Sequence, residues 1–226
     1  MGLSGFEVKI IHDLRRAMPG RRLKALSLGH PDILATPEEL SFLGPLPVDE
    51  IGVQNSRKWH CKRGIVGNAR PVFDAMNCDL FVIDIRKDLY NVDCFADLNY
   101  PLDLDNGPFD IIIDPGTTEH CINVGQALRN IALNLDVGGF VYHMVPLCHW
   151  NHGFWNFSPT LFADFYDVEN GFRVERIEAE FRGRLLPVQT KAKFEIRNSG
   201  RRLSMLCVAR KLEMKKIVFP MQRKYR

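Results

Sequence analysis

Residues 109–152 read FDIIIDPGTTEHCINVGQALRNIALNLDVGGFVYHMVPLCHWNH, and this stretch decides the fold. An apolar run at 111–113 ends at Asp114. A tight Pro115–Gly116 bend follows, then Thr117, Thr118, Glu119 and His120. The next segment is amphipathic, with Ile122, Ala127, Leu128, Ile131 and Leu135 on or near one face, and it stops at Gly138–Gly139. A second apolar run, 140–145, ends at Pro146. Behind it lies a loop with His149, Trp150, Asn151 and His152. The pattern is strand, loop, helix, strand, loop, with both loops after carboxyl ends of strands, where open α/β sheets bind ligands.

The flanking chain extends the pattern. Phe6, Ile10, Ile11, Leu14 and Met18 recur at helical spacing, which predicts a helix over 5–18 stopped by Pro19–Gly20. LKALSLG is a buried strand ending at Gly29. Residues 33–62, with Pro37, Pro45 and Pro47, read as an irregular insertion holding one short helix near 37–42, capped by Thr36. Residues 64–76 read as a helix with Val66, Ala69, Val72 and Phe73 inward and a kink at Pro71. LFVIDI at 80–85 is a fully buried strand with Asp84 at its end, and VDCFADLN a short strand ending at Asp97. A helix started by Ser158 covers 159–166. Strands follow at 172–181 and 203–209, and a basic tail occupies 211–226. Alternating strands and helices predict one α/β domain over 1–226, with a mostly parallel sheet, helices on both faces and an antiparallel C-terminal edge.

The 226 residues, 46% hydrophobic and 25% charged, suffice for one α/β domain with a real core. No apolar run approaches the roughly 20 residues of a membrane helix. The N-terminus lacks the order of a signal peptide and does not support myristoylation. Six cysteines without a C-x-x-C pair read as reduced thiols, and the expected location is the cytoplasm. The net charge of +3 neither demands nor excludes an anionic partner.

Gly29, Asp84, Asp97 and Asp114 stand at successive strand ends. Half-buried carboxylates are expensive without partners. One at the second strand end can accept from both hydroxyls of a ribose, and one at the third from the exocyclic amine of adenine. Each Asp alone is equally well read as the cap of a following turn; the set in this order favours a ligand. LSLGHPD at 26–32, VIDI at 82–85, ADLN at 96–99, FDIIIDPGTTEH at 109–120 and LDVGGF at 135–140 resemble the motifs of class I S-adenosylmethionine-dependent methyltransferases. The resemblance covers roughly residues 21–210 and implies a Rossmann-like, seven-stranded, mostly parallel sheet with an antiparallel last strand. HGFWNFSPTLF and FPMQRKY look similar to small methyltransferases of surface-polysaccharide or sugar modification. The chain departs from the family in having one glycine in the first motif and 55 residues between Gly29 and Asp84. The absence of G-x-G-x-x-G argues against a dinucleotide site.

The resemblance implies S-adenosyl-L-methionine as cofactor, with Gly29 beneath it, Asp84 on the ribose hydroxyls and Ile85 against the adenine. Asp97 takes the adenine amine, and Leu98 a ring nitrogen through its backbone. Asp114, Gly116 and Thr117 line the methionine end. A hydroxyl acceptor benefits from a general base, and His is the usual one. His152 or His149, in a loop with Trp150, Phe154, Trp155 and Phe157, stand first, and His120 next. His143 reads as a hydrogen-bonded core residue. Three histidines with Glu119 or Asp114 are types that hold divalent ions, but H-x-x-H in a loop is a poor ligand signal, and no metal is assigned. Arg57, Lys58, Lys62 and Arg63 around Trp59 and His60, together with the basic tail, read first as solvated faces and a frayed terminus. Their functional reading is a site for a nucleotide-sugar or RNA. The expected activity is O-methylation of a small polar acceptor such as a sugar. The alternatives are a nucleic-acid methyltransferase and a non-catalytic binding module.

Overall fold

The structure, a computed structural model, describes residues 2–47, 66–89, 91–181, 184–188 and 202–225. The basic cluster at 57–63 lies outside them. The chain forms two compact units, Met1–Asp97 and Leu98–Arg226.

In the first unit, β1 (Gly2–Leu3) precedes α1 (Gly5–Arg16), followed by β2 (Leu23–Leu28), β3 (Asp32–Ile33), β4 (Gly67–Asn68), α2 (Ala69–Ala75), β5 (Cys78–Asp84) and β6 (Cys94–Phe95). Strand β5 pairs in parallel with β2 and with β6, while β1, β3 and β4 form a small separate sheet. Ser4 caps α1, bonding Glu7 reciprocally, and the helix ends two residues before the expected stop. Val66, Ala69, Val72 and Phe73 are all buried, as their spacing predicts. Pro71 does not kink α2, because the helix starts only at Ala69 and Pro71 falls in its first turn, where no backbone N–H partner is needed. The short helix expected near 37–42 is instead one turn running into a 3-10 turn, Ser41–Leu43. Thr36 and Glu39 do bond each other as in a capping box, at 3.3 and 2.9 Å, but Gly44 at φ +86° turns the chain away. Strand β6 is two residues long, so Asp97 lies beyond it rather than at its end.

The second unit contains β7 (Phe109–Asp114), α3 (Val124–Asn134), β8 (Leu135–Cys148), α4 (Pro159–Phe165), β9 (Phe172–Phe181), β10 (Arg184–Pro187) and β11 (Leu203–Lys211). Strands β7 and β8 are parallel. Strand β11 is antiparallel to both β8 and β9 and lies between them, so it is an inner strand and not the edge. Strand β10 extends β9 as an antiparallel neighbour. Every residue of β7 is buried, the mark of a strand covered on both faces.

Helix α3 differs from its sequence reading at both ends. Ile122 precedes it and is exposed, and the helix stops at Asn134, four residues before Gly138. The glycine pair lies within β8. Register advances from Phe109↔Leu135 to Ile111↔Phe140 there, and a Cβ on Gly139 would stand 2.6 Å from the Asp110 carbonyl oxygen. Gly139 is therefore a close approach between paired strands, and Gly138 takes φ +86°, which explains both glycines without a helix end. Lys211, buried on β11, donates to the carbonyl oxygens of Ala132 and Leu135 at 2.7 and 2.6 Å, satisfying the carboxyl end of α3.

The basic tail is not frayed. Asn170 bonds both backbone groups of Val218, Lys215 donates to the Val168 carbonyl, and Arg223 meets Asp164 and Asp167. Asn130 on α3 does the same for the loop after Leu98. It donates to the Leu98 and Tyr100 carbonyls and accepts from Leu102 N. Replacing it by Ala leaves those buried groups unpaired. Asn130→Ala is expected to lower stability by about 2 to 3 kcal/mol in chemical denaturation.

Candidate active site

The site in the second unit is built on the end of β7. Asp114 is fully buried and every bond it makes is internal. Its Oδ1 accepts from Thr117 N at 2.8 Å and Thr118 N at 3.2 Å. Its Oδ2 accepts from the Thr118 hydroxyl at 2.6 Å and lies 2.7 Å from His143 Nδ1. Burial raises the Asp114 pKa, but the His143 contact and the threonine bonds outweigh it and hold the carboxyl below its usual value. His143 Nε2 in turn sits 2.8 Å from the Tyr166 hydroxyl, whose pKa burial pushes well up. With a neutral ring, Nδ1–H donates to Asp114 and Nε2 accepts from Tyr166. The core reading of His143 therefore stands. Asp114, expected to line the methionine end, instead shapes the 115–118 turn from beneath. Gly116, at φ +94°, and Thr117 form that turn.

Held in this way, the chain makes a short 3-10 turn, Thr118–His120, so His120 does not open α3, which starts only after the Asn123 cap. The turn inserts Glu119 into the protein, with a relative exposure of 0%. The following loop packs over it. Phe154 N donates to the Glu119 carbonyl at 2.8 Å and Trp155 Nε1 to the Cys121 carbonyl at 2.9 Å. Gly153 permits this approach, since a Cβ there would meet the Glu119 carbonyl oxygen at 2.8 Å. His152 Nε2 lies 3.3 Å from Glu119 Oε1 and His120 Nε2 3.9 Å from it. The rings of His149 and His152 stand edge to face at 5.2 Å. Two of the three expected histidines thus meet at Glu119, with His149 beside His152, and the sequence reading considered Glu119 only as one possible ion ligand. Burial raises the Glu119 pKa, His152 works against that shift, and the charge of Asp114 adds to it. Trp150, 86% exposed, and Phe154 are exposed aromatics of the same loop. Phe157, expected in the same wall, is buried beside Phe162, because its N–H is pinned to the Pro146 carbonyl.

In the first unit, Gly29 at φ +85° follows β2, and the next residue, His30, donates its N–H to Asp84 Oδ2 at 2.8 Å. Asp84 Oδ1 accepts from Arg86 N at 2.9 Å. Asp84 is therefore a turn cap, and each oxygen still has a lone pair to offer. Ile85 is 64% exposed and Asp97 half-buried, while Leu98, in the second unit, is buried with its carbonyl held by Asn130.

The sequence matches no protein-family model and no curated protein. Among solved structures, the chain is similar to the YcgJ protein from Bacillus subtilis at 12% identity, covering 91% of this chain and 98% of that one, with a TM-score of 0.51. A candidate sarcosine dimethylglycine methyltransferase from Galdieria sulphuraria matches at 12% identity over 92% of this chain and 83% of its own, also at 0.51. The fold shared with these structures is Rossmann-like, a mostly parallel sheet flanked by helices. A candidate hemolysin from Streptococcus thermophilus shares it too, at 12% identity, 96% and 69% coverage and a TM-score of 0.50. Strand β11 stands where the sequence predicts the antiparallel last strand, and β10 is an addition.

His149 has its pKa lowered to about 4, by burial first and then by the neighbouring charges of His152 and Arg202. A histidine whose folded pKa is depressed leaves the unfolded chain binding more protons between pH 6.5 and about 4, so stability is lost as pH falls through that window. Urea midpoints measured across pH 4 to 7 should fall less steeply for His149→Gln than for the parent protein. Parallel curves would refute the depressed pKa.

Proposed function

We propose that this protein is an S-adenosylmethionine-dependent methyltransferase acting on a hydroxyl of a small polar acceptor, such as a sugar or nucleotide-sugar. The observation that carries this reading is the buried Glu119 with His120 and His152 against it, just beyond the carboxyl end of β7 and beside a loop with exposed aromatic residues. Loops at the carboxyl ends of strands are where this fold class places its chemistry.

The residues of the first unit fit the cofactor. Asp84 keeps acceptor capacity on both oxygens for a ribose diol, and the exposed Ile85 beside it offers an apolar face to an adenine ring. Gly29, with positive φ and no side chain, allows close backbone approach. Asp97, half-buried in the same unit, is the acceptor for the adenine amine. The bound cofactor supplies an electrophilic methyl group on a sulfonium. The protein's part is to position the acceptor oxygen in line and to remove its proton.

His152 is the base in the metal-free protein. Glu119 lies behind its Nε2 and stabilises the imidazolium that forms, and the half-exposed ring returns the proton to water. His149, with a pKa near 4, is too weak a base to hold a proton at neutral pH. His120, half-exposed beside Glu119, helps to orient the acceptor. Trp150 and Phe154 give flat apolar faces that suit the C–H faces of a sugar ring.

Transfer of labelled methyl from the cofactor to a panel of free sugars, nucleotide-sugars and RNA tests this reading. The expected result is label in a carbohydrate hydroxyl, with the turnover number of His152→Gln reduced by about 10²-fold or more. Label in RNA alone, or an unchanged turnover in that variant, contradicts it.

A further inference from the structure

We propose that Glu119, His120 and His152 form a binding site for a divalent first-row transition ion, with open coordination positions for acceptor oxygens. One ligand atom from each of the three side chains lies within 4.8 Å of the others. Ligand atoms sharing one ion at bond lengths of about 2.1 Å stand about 3.0 to 3.4 Å apart. The 3.3 Å between His152 Nε2 and Glu119 Oε1 already meets that spacing. The 3.9 Å from His120 Nε2 closes with a small turn of a half-exposed ring.

The second observation is independent of the clustering. The Glu119 carboxylate is wholly buried, yet neither oxygen makes a regular hydrogen bond among the described residues, and the imidazole that pairs with it, His152 at 3.3 Å, is itself one of the three ligands. A buried carboxylate in that condition calls for a cation or a proton. A side chain at position 116 would crowd it, because a Cβ on Gly116 would stand 3.0 Å from Glu119 Oε1. Its φ of +94° disfavours any other residue.

Two imidazoles and one carboxylate suit Zn²⁺, Co²⁺, Mn²⁺ or Fe²⁺ better than Mg²⁺ or Ca²⁺, which prefer all-oxygen shells. Three protein ligands leave positions for water or for substrate oxygen. In the loaded protein His152 is a ligand, and the ion takes over the work of the base by lowering the pKa of a coordinated hydroxyl, whose proton leaves to water. This acceptor role rests on the methyl-transfer reading. The ion site itself does not.

The test is titration of tag-free, chelator-stripped and dialysed protein with Co²⁺, followed by visible absorption and calorimetry, without cofactor or acceptor. One equivalent should bind with a micromolar dissociation constant and give ligand-field bands of nitrogen–oxygen coordination. Glu119→Gln and His152→Gln should each weaken binding at least tenfold. His120→Ala, at a half-exposed position, keeps the test valid should either of those fail to fold, and should also weaken it. Binding weaker than millimolar, or unchanged in the folded His120→Ala protein, overturns the proposal. Because neither cofactor nor acceptor is present, that failure leaves the methyl-transfer reading intact, and the absence of methyl transfer leaves the ion site intact.

Discussion

The Asp114 carboxylate at the end of β7 is the constraint on which the second unit depends. Its two oxygens accept from two backbone amides and one hydroxyl and meet a buried imidazole, so a group costly to bury is fully engaged. The amides fix the 115–118 turn. The imidazole, through Tyr166, links β7 and β8 to α4. Because the turn is fixed, the chain dives inward at Glu119 and carries a second carboxylate into the protein, this one faced by the imidazoles of His152 and His120. One acid is satisfied and structural, and the other is left for chemistry. Their pKa values move apart accordingly, Asp114 down and Glu119 up, the pattern by which neighbouring carboxyls take different roles.

Much of this was legible in the sequence. The apolar run at 111–113 lies in a strand buried on both faces, and the alternation of strand and helix gave the α/β class; the run at 80–85 does form a strand, but not a fully buried one, since Phe81 and Asp84 are half-buried and Ile85 is exposed beyond its end. The gathering of His120, His149 and His152 followed from their positions after successive strands. Gly29 and Asp84 do meet around one turn.

What escaped depends on three-dimensional pairing. Asp114 looked like a ligand-lining residue because a carboxylate and its partners are 29 residues apart in the case of His143. Asn130, Asn170 and Lys211 sit at ordinary positions, and only the folded chain shows that each satisfies backbone groups far away in sequence. Gly138–Gly139 carried the usual signal of a helix end, yet its reasons are a positive φ at Gly138 and the close approach of β7 at Gly139. The 3-10 turn at 118–120 was hidden for the opposite reason: T-E-H before an apolar run reads as a helix start, and the Asp114 bonds override that local preference.

The central claim is that the turn around Asp84 holds a nucleoside cofactor. Calorimetric titration with S-adenosylmethionine and S-adenosylhomocysteine tests it most directly, on the parent protein and on Asp84→Asn, with both shown folded by thermal unfolding. The account predicts micromolar binding of at least one ligand by the parent protein and at least tenfold weaker binding by the variant. No binding of either ligand by the folded parent protein, or equal binding by both proteins, would contradict it.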